Sequence, residues 1–289
     1  GAMFGDVGQG LILFLGGLFL YKTKHMDLAG IISCAGVFSV FFGFMYGSFF
    51  GFEDVLKAIW LKPMNQMMDV PLVGRLNAVF VIAIGFGMFI ILICMVFNII
   101  NSIRNKDTEK AWFDSNAVAG LVFYGSIVLT VGLFISGRKL PATAVLVVMF
   151  GVPLLLMFLK EPLTNLVEKK SEIFPEQKGM FFVQSFFELF EVLLSYLSNT
   201  LSFLRIGAFA VSHAAMMEVV LMLAGATNGG SPNWIVVVLG NIFVCAMEGL
   251  IVGIQVLRLE YYEIFSRFYA GNGREFQPFM KTLRKGVQK

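Results

Sequence analysis

Residues 79–97, VFVIAIGFGMFIILICMVF, contain not one charged, amide or hydroxyl side chain, and similar runs recur along all 289 residues. A segment that is apolar on every side has no face to turn toward water, so it reads as a helix surrounded by lipid or by other helices. Barrel strands are a poor alternative, because they alternate apolar and polar residues. Hydrophobic residues make up 57% of the chain and charged ones 14%, against about 45–50% and 25% in ordinary soluble domains. The expected fold class is therefore an all-α polytopic integral membrane protein. At roughly 20 residues per crossing, seven spans are expected, near 7–21, 28–50, 77–100, 115–136, 140–159, 181–226 and 233–268. Little remains for a soluble catalytic domain. Trp60, Trp112 and Trp234 stand beside span ends, where amphipathic rings favour the interface.

Charge sets the orientation. Segments 22–27, 101–113, 160–180 and everything after 266 fall on one face and carry fifteen of the 22 Lys and Arg; segments 53–76, 137–139 and 227–232 carry five. The positive-inside rule then makes the C-terminus cytoplasmic and residue 1 external. If the parent protein has a cytoplasmic N-terminal part, an odd number of crossings precedes Gly1. The opening GAMFGD has no cationic region or cleavage site and is not a signal peptide. Segment 53–76 is expected as an external interfacial loop and 160–180 as a solvated cytoplasmic connection. Gly43, Gly47 and Gly51 recur every fourth residue and are expected to form a packing groove along the second span. Cys34, Cys94 and Cys245 show no metal or disulfide spacing, so buried thiols are expected and a metal site is not. A net charge of +3 without a basic arm gives no reason to expect nucleic acid.

The last two spans hold the chemistry. No proline interrupts 179–231 or 233–277. Unbroken helices over 181–226 and 233–268 would measure roughly 70 and 54 Å, against about 30 Å of hydrocarbon. They are expected to be long, tilted, antiparallel and free of mid-span breaks. Counting from the hairpin near Gly229, His213 falls level with Glu248, Arg205 level with Gln255, and Arg258 deeper toward the cytoplasm. A guanidinium cannot shed its proton to escape lipid, and ionisable residues at such depth mark function. A salt bridge to Glu248 or Glu218 is the structural alternative for Arg205. Glu191, Ser195, Ser198, Ser202, Arg205 and Ser212 fall within roughly 60° of one another on an ideal helix, a track suited to an aqueous half-channel. Serines that cap backbone carbonyls and pack small are the alternative.

At these residues a family resemblance enters. SNTLSFLRIGAFAVSHAAMMEVV and MEGLIVGIQVLRLEYYEIFSRFYAGNGREFQPF, with the opening MFGDVGQG, resemble the C-terminal membrane domain of the stator subunit (subunit a or I) of V-type and archaeal-type rotary ATPases. The resemblance implies residues 1–180 as a peripheral five-helix bundle and residues 181–289 as a two-helix ion-translocating unit with a cytoplasmic tail. It implies that Arg205 is the essential arginine, Arg258 the second, and Gln255 a polar partner. Glu191 would serve a cytoplasmic half-channel, lined by Ser195, Ser198, Ser202 and Ser212, while His213 and Glu248 would serve the external one. The implied partners are a ring of small membrane rotor subunits with one carboxylate each, peripheral-stalk and soluble ATPase subunits, and the lipid bilayer. No cofactor is expected; the transported ion is H⁺ or Na⁺. The short loops suggest a prokaryotic plasma membrane. No GxxxxGK[ST] loop is present, so ATP hydrolysis is expected elsewhere. A secondary transporter with midplane charges is the second reading, and an intramembrane enzyme using His213 with Glu218 or Glu248 a distant third.

Overall fold

The computed structural model describes residues 1–52, 55–63, 67–70, 74–105, 111–139, 141–167, 178–226, 232–269 and 271. The chain runs α1 (Val7–Lys24), α2 (Asp27–Tyr46), β1 (Met67–Val70), β2 (Gly74–Asn77), α3 (Ala78–Arg104), α4 (Val118–Ile135), α5 (Thr143–Phe158) and α6 (Lys160–Val167). The long C-terminal elements are α7 (Lys178–Ser202), α8 (Leu204–Leu223) and α9 (Trp234–Arg258), which continues through a π-helical stretch, Leu259–Phe265, into α10 (Ser266–Phe268). Among the described residues, five helical segments are long and apolar enough to cross a bilayer: Asp27–Tyr46, Ala78–Arg104, Val118–Ile135, Gly179–Leu223 and Trp234–Phe268. A sixth arises if α5 and α6, bent by 73° at Leu159, are counted together. The all-α membrane class is thus observed with five or six such segments. Helix α1 has the length of a span but carries Gln9, Lys22 and Lys24.

Helices α1 and α2 pack as an antiparallel pair through small residues. A Cβ added at Gly36 would lie 2.5 Å from Phe14 N, and one at Gly43 2.4 Å from Val7 N; backbones this close exclude larger side chains. The expected glycine groove stops there. Gly47, at φ +74°, ends α2 as a left-handed cap, and Gly51, at φ +83°, lies in the following turn. Both positions use glycine's freedom at positive φ, and its small size as well, since an added Cβ would lie 2.6 Å from Ala58 N at Gly47 and 2.6 Å from Met217 Cε at Gly51. Within segment 53–76 the expected loop contains an antiparallel hairpin, β1 with β2, registered Met67↔Asn77 through Val70↔Gly74. It feeds α3 through Asn77, whose side chain accepts from Val79 N at 3.0 Å.

The main core lies where α3, α4 and the long helices meet. Ile91 and Met95 are fully buried, and Phe123, Tyr124, Tyr196, Phe203 and Leu259 join them. Within the expected cytoplasmic connection, segment 160–167 is helical, and Lys160 on α6 pairs with Glu188 on α7. Residues 168–177 of the expected cytoplasmic loop lie outside the described residues.

The expected unbroken helix at 181–226 is interrupted. Phe203 N takes Thr200 O at 3.3 Å, and Ile206 N takes Phe203 O at 3.0 Å, a three-residue winding between α7 and α8. The final span changes winding too, entering its π-helical stretch directly after Arg258. Neither change involves proline. Phe203 is 1% exposed and sits against Gly87 of α3, where an added Cβ would lie 2.2 Å from its ring. At residue 203 the three-residue winding thus coincides with the tertiary packing of one large ring.

Candidate functional site

Helices α8 and α9 form an antiparallel pair whose register can be read from contacts along its length. Asn233 N bonds Ala224 O at 2.9 Å, Gly240 packs on Val220, and His213 meets Glu248. Farther along, the Arg267 guanidinium lies 5.9 Å from the Tyr196 ring centroid. Interpolating between these last two contacts puts Arg205 opposite the turn carrying Gln255 and Arg258. Arg205 is half-buried, and its Nη1 atom is buried without a hydrogen-bond partner. The structural alternative for it, a salt bridge to Glu248, is not observed, since Glu248 is engaged by His213; Glu218 is exposed. Arg258 is exposed and Gln255 half-buried. Around these groups, Leu194, Leu197, Leu201, Leu250, Ile254 and Leu257 leave an uncovered apolar face, each more than half exposed.

His213 Nδ1 and Glu248 Oε2 share a hydrogen bond of 2.5 Å, with both residues buried. The depth match expected from helical rise is therefore observed. His213 Nε2 and Glu248 Oε1 are buried without partners, so the pair is only half satisfied. The Phe4 ring lies tilted against the His213 ring with centroids 4.7 Å apart, and a small cavity reaches His213 past Tyr46, Ser48 and Met217.

Three residues beside this pair were missed by sequence reasoning. Asp6 is completely buried and accepts four hydrogen bonds, from Gln9 N at 3.0 Å, Phe50 N at 3.0 Å, Gly51 N at 2.9 Å and Ser48 Oγ at 2.7 Å. It caps α1 and pins the turn after α2. Gln9 donates through Nε2 to Asn241 Oδ1 at 2.8 Å, joining α1 to α9. The available signal was two polar side chains entering an apolar span and one amide two turns into the last span, each of which needs a partner in lipid.

On the other side of Arg205 the expected serine track divides. Glu191 and Ser198 are exposed, and Ser202 and Ser212 are half-buried. Ser202 Oγ donates to Ser198 O at 3.1 Å, the capping role weighed as its alternative. Ser195 accepts from Asn199 Nδ2 at 3.2 Å and faces a cavity shared with Ser115, Asn116 and Arg267. Arg267, counted from sequence among the surface cations, is instead 7% exposed. With Glu263, Asn116 and Asn199 it makes a second polar cluster that sequence reasoning missed. Among the described residues no group of three or more His, Cys, Asp or Glu is placed to hold a metal ion.

Residues 160–281 match the V-type ATPase 116kDa subunit family. Over 96% of this chain and 44% of the relative, the sequence is 27% identical to an A-type ATP synthase subunit I of Aeropyrum pernix. It is 42% identical to the A-type ATP synthase subunit I of Saccharolobus solfataricus over 32% of this chain and 14% of the relative. It is 31% identical to the human V-type proton ATPase 116 kDa subunit a 3 over 39% of this chain and 15% of the relative. The chain spans less than half the length of these relatives.

Proposed function

The chain belongs to the family of V-type ATPase 116kDa subunits and A-type ATP synthase subunits I, and on that premise we propose that it is the membrane stator part of a rotary ATPase or ATP synthase. It carries no catalytic site for ATP. It couples H⁺ or Na⁺ movement to rotation of a ring of small subunits, each with one carboxylate. Peripheral-stalk and soluble ATPase subunits attach through a cytoplasmic part of the longer protein. Residues 1–180 buttress residues 181–289, which face the ring. Counting α1 and the bent α5–α6 pair, the crossings number seven, with the C-terminus cytoplasmic in a prokaryotic plasma membrane.

The observation that carries this reading is an unpartnered Arg205 guanidinium nitrogen beside an uncovered apolar face, at the depth of Gln255 and Arg258. A ring carboxylate crossing lipid must be neutral, because an unpaired buried charge is too costly. A fixed cation within about 4–6 Å lowers a carboxylate's pKa by 1–3 units, which is about 10- to 1000-fold in ion release. Arg205 takes the main electrostatic role and Arg258 a supporting one, with Gln255 hydrogen-bonding between them. Glu191, with Ser195, Ser198, Ser202 and Ser212, serves ions on the cytoplasmic side. His213 and Glu248 serve the external side, where their free Nε2 and Oε1 can engage water. A permanent charge between the two routes opposes ion passage without rotation.

Arg205→Ala in the assembled complex, reconstituted in vesicles, is expected to abolish ion-coupled ATPase activity and synthesis while assembly persists. Wild-type coupling in that variant would remove the assignment. A secondary transporter with midplane charges is the second reading; substrate-dependent uptake by this chain alone in vesicles would select it.

A further inference from the structure

A polar cavity of about 200 Å³ lies between α7, the segment before α4 and the end of the last span. Ser115, Asn116, Ser195, Asn199, Ser266 and Arg267 line it, and among the described residues Arg267 is the one formally charged side chain on its wall. The Arg267 guanidinium is 7% exposed. Its Nε donates to Glu263 O at 3.2 Å and its Nη1 to Asn116 Oδ1 at 2.9 Å. Its Nη2 is buried with no partner. A guanidinium is always charged, and a buried donor left unmet costs about 1–3 kcal/mol, more when charged. The Glu263 carboxylate, one turn away, forms no hydrogen bond with the guanidinium, and its own Oε2 is buried and unmet.

We infer that this cavity binds the oxyanion of a phosphate group, with Arg267 as its anchor. Arginine's planar fork suits phosphate oxygens, and the Ser115 hydroxyl and the Asn116 amide can supply further donors. The volume exceeds that of several waters at about 30 Å³ each, room enough for one such group. Two acids, Glu263 and Asp114, stand close to the cavity, so a monoanionic phosphodiester fits better than a dianion. Depth points the same way. Asn98 Nδ2 donates to Asn116 O at 3.0 Å and Asn101 Nδ2 to Phe268 O at 3.3 Å, which sets the cavity level with the last two turns of α3 before it ends at Arg104. Trp112, on the adjoining segment, is 54% exposed. That is the level of lipid headgroups, where basic pockets between helices bind them.

The test uses the purified chain in an uncharged, phosphate-free detergent. One arm adds short-chain phosphatidylglycerol and the other inorganic phosphate, with adducts read by native mass spectrometry. The expected result is a phosphatidylglycerol adduct weakened about tenfold or more in Arg267→Gln. A second variant, Asn199→Phe, fills the cavity while leaving every Arg267 hydrogen bond in place, and it is expected to lose the adduct as well. Arg267-dependent retention of inorganic phosphate instead would assign the same site to a soluble oxyanion. Equal retention by the wild-type chain and both variants, or retention of neither probe, overturns the inference and leaves a water-filled cavity.

Discussion

Asp6 offers a stability prediction that the structure can size. Its carboxylate accepts from three backbone N–H groups and one hydroxyl, all within 3.0 Å, and none of it reaches solvent. Asp6→Ala leaves the N–H groups of Gln9, Phe50 and Gly51 unmet, while the Ser48 hydroxyl can rotate to another acceptor. At about 1–3 kcal/mol for each buried donor left unmet, and allowing for water entering the gap, the expected loss is roughly 3–6 kcal/mol. Asp6→Asn keeps one acceptor oxygen for Gln9 N and Phe50 N. Its amide can donate to Ser48, so Gly51 N alone is stranded, and the loss falls to roughly 1–3 kcal/mol. The assay is denaturant unfolding of the purified chain in detergent, followed by circular dichroism. A functional consequence follows from position: Gly51 packs on Met217, one turn from His213, and Phe4 lies tilted against the His213 ring. Coupled transport by the complex is therefore expected to fall in the same order, Ala below Asn below wild type. Equal stability of Asp6→Ala and the wild-type chain, or a larger loss in Asn than in Ala, refutes the reasoning.

Two more outcomes test the packing and the buried pair. Gly87→Ala places a methyl 2.2 Å from the Phe203 ring and is expected to cost about 1–3 kcal/mol by overpacking and to impair coupling by displacing the turn before Arg205. Gly85→Ala, on the same helix with nothing within 4 Å, is the control and should do neither; matched losses in both would discard the argument. For His213 and Glu248, a double-alanine cycle is expected to show about 1–3 kcal/mol of coupling, because each single variant strands a buried polar partner. Additive losses in unfolding experiments would mean that the pair contributes nothing as a pair.

How much of this was legible in the sequence depends on which coordinate of a helix is asked for. Rise per residue is nearly invariant, so counting from the hairpin placed His213 level with Glu248. Direction around the axis is less secure. Arg267 was counted as a surface cation because a charge tally locates a residue along the chain and not around it. Gly47 and Gly51 continued a spacing that began inside α2, yet they serve positive-φ turns, and spacing alone cannot separate small-residue packing from backbone freedom. The hairpin of Met67–Val70 with Gly74–Asn77 lay within a segment read by polarity as a loop.

The breaks in winding had no local signature, and their placement bears on the site. Three-residue winding at Phe203 takes fewer residues per turn than an α-helix, and the π-helical stretch after Arg258 takes more. Both lie on the same side of the arginines, toward Tyr196 and Arg267. Each long helix is therefore out of phase with its own continuation, and the ideal-helix angles that aligned Glu191 with Arg205 do not carry across residue 203. Within and beyond the breaks, Tyr196, Thr200, Glu263 and Arg267 turn inward, with Tyr124 Oη and Thr200 Oγ1 2.7 Å apart. Glu191 and Arg258 stay on the uncovered side. An unbroken pair of helices would have fixed both sets by one phase. With the breaks, packing at the inner core and exposure of the charged groups are set separately, and at the first of them a single ring is wedged against Gly87.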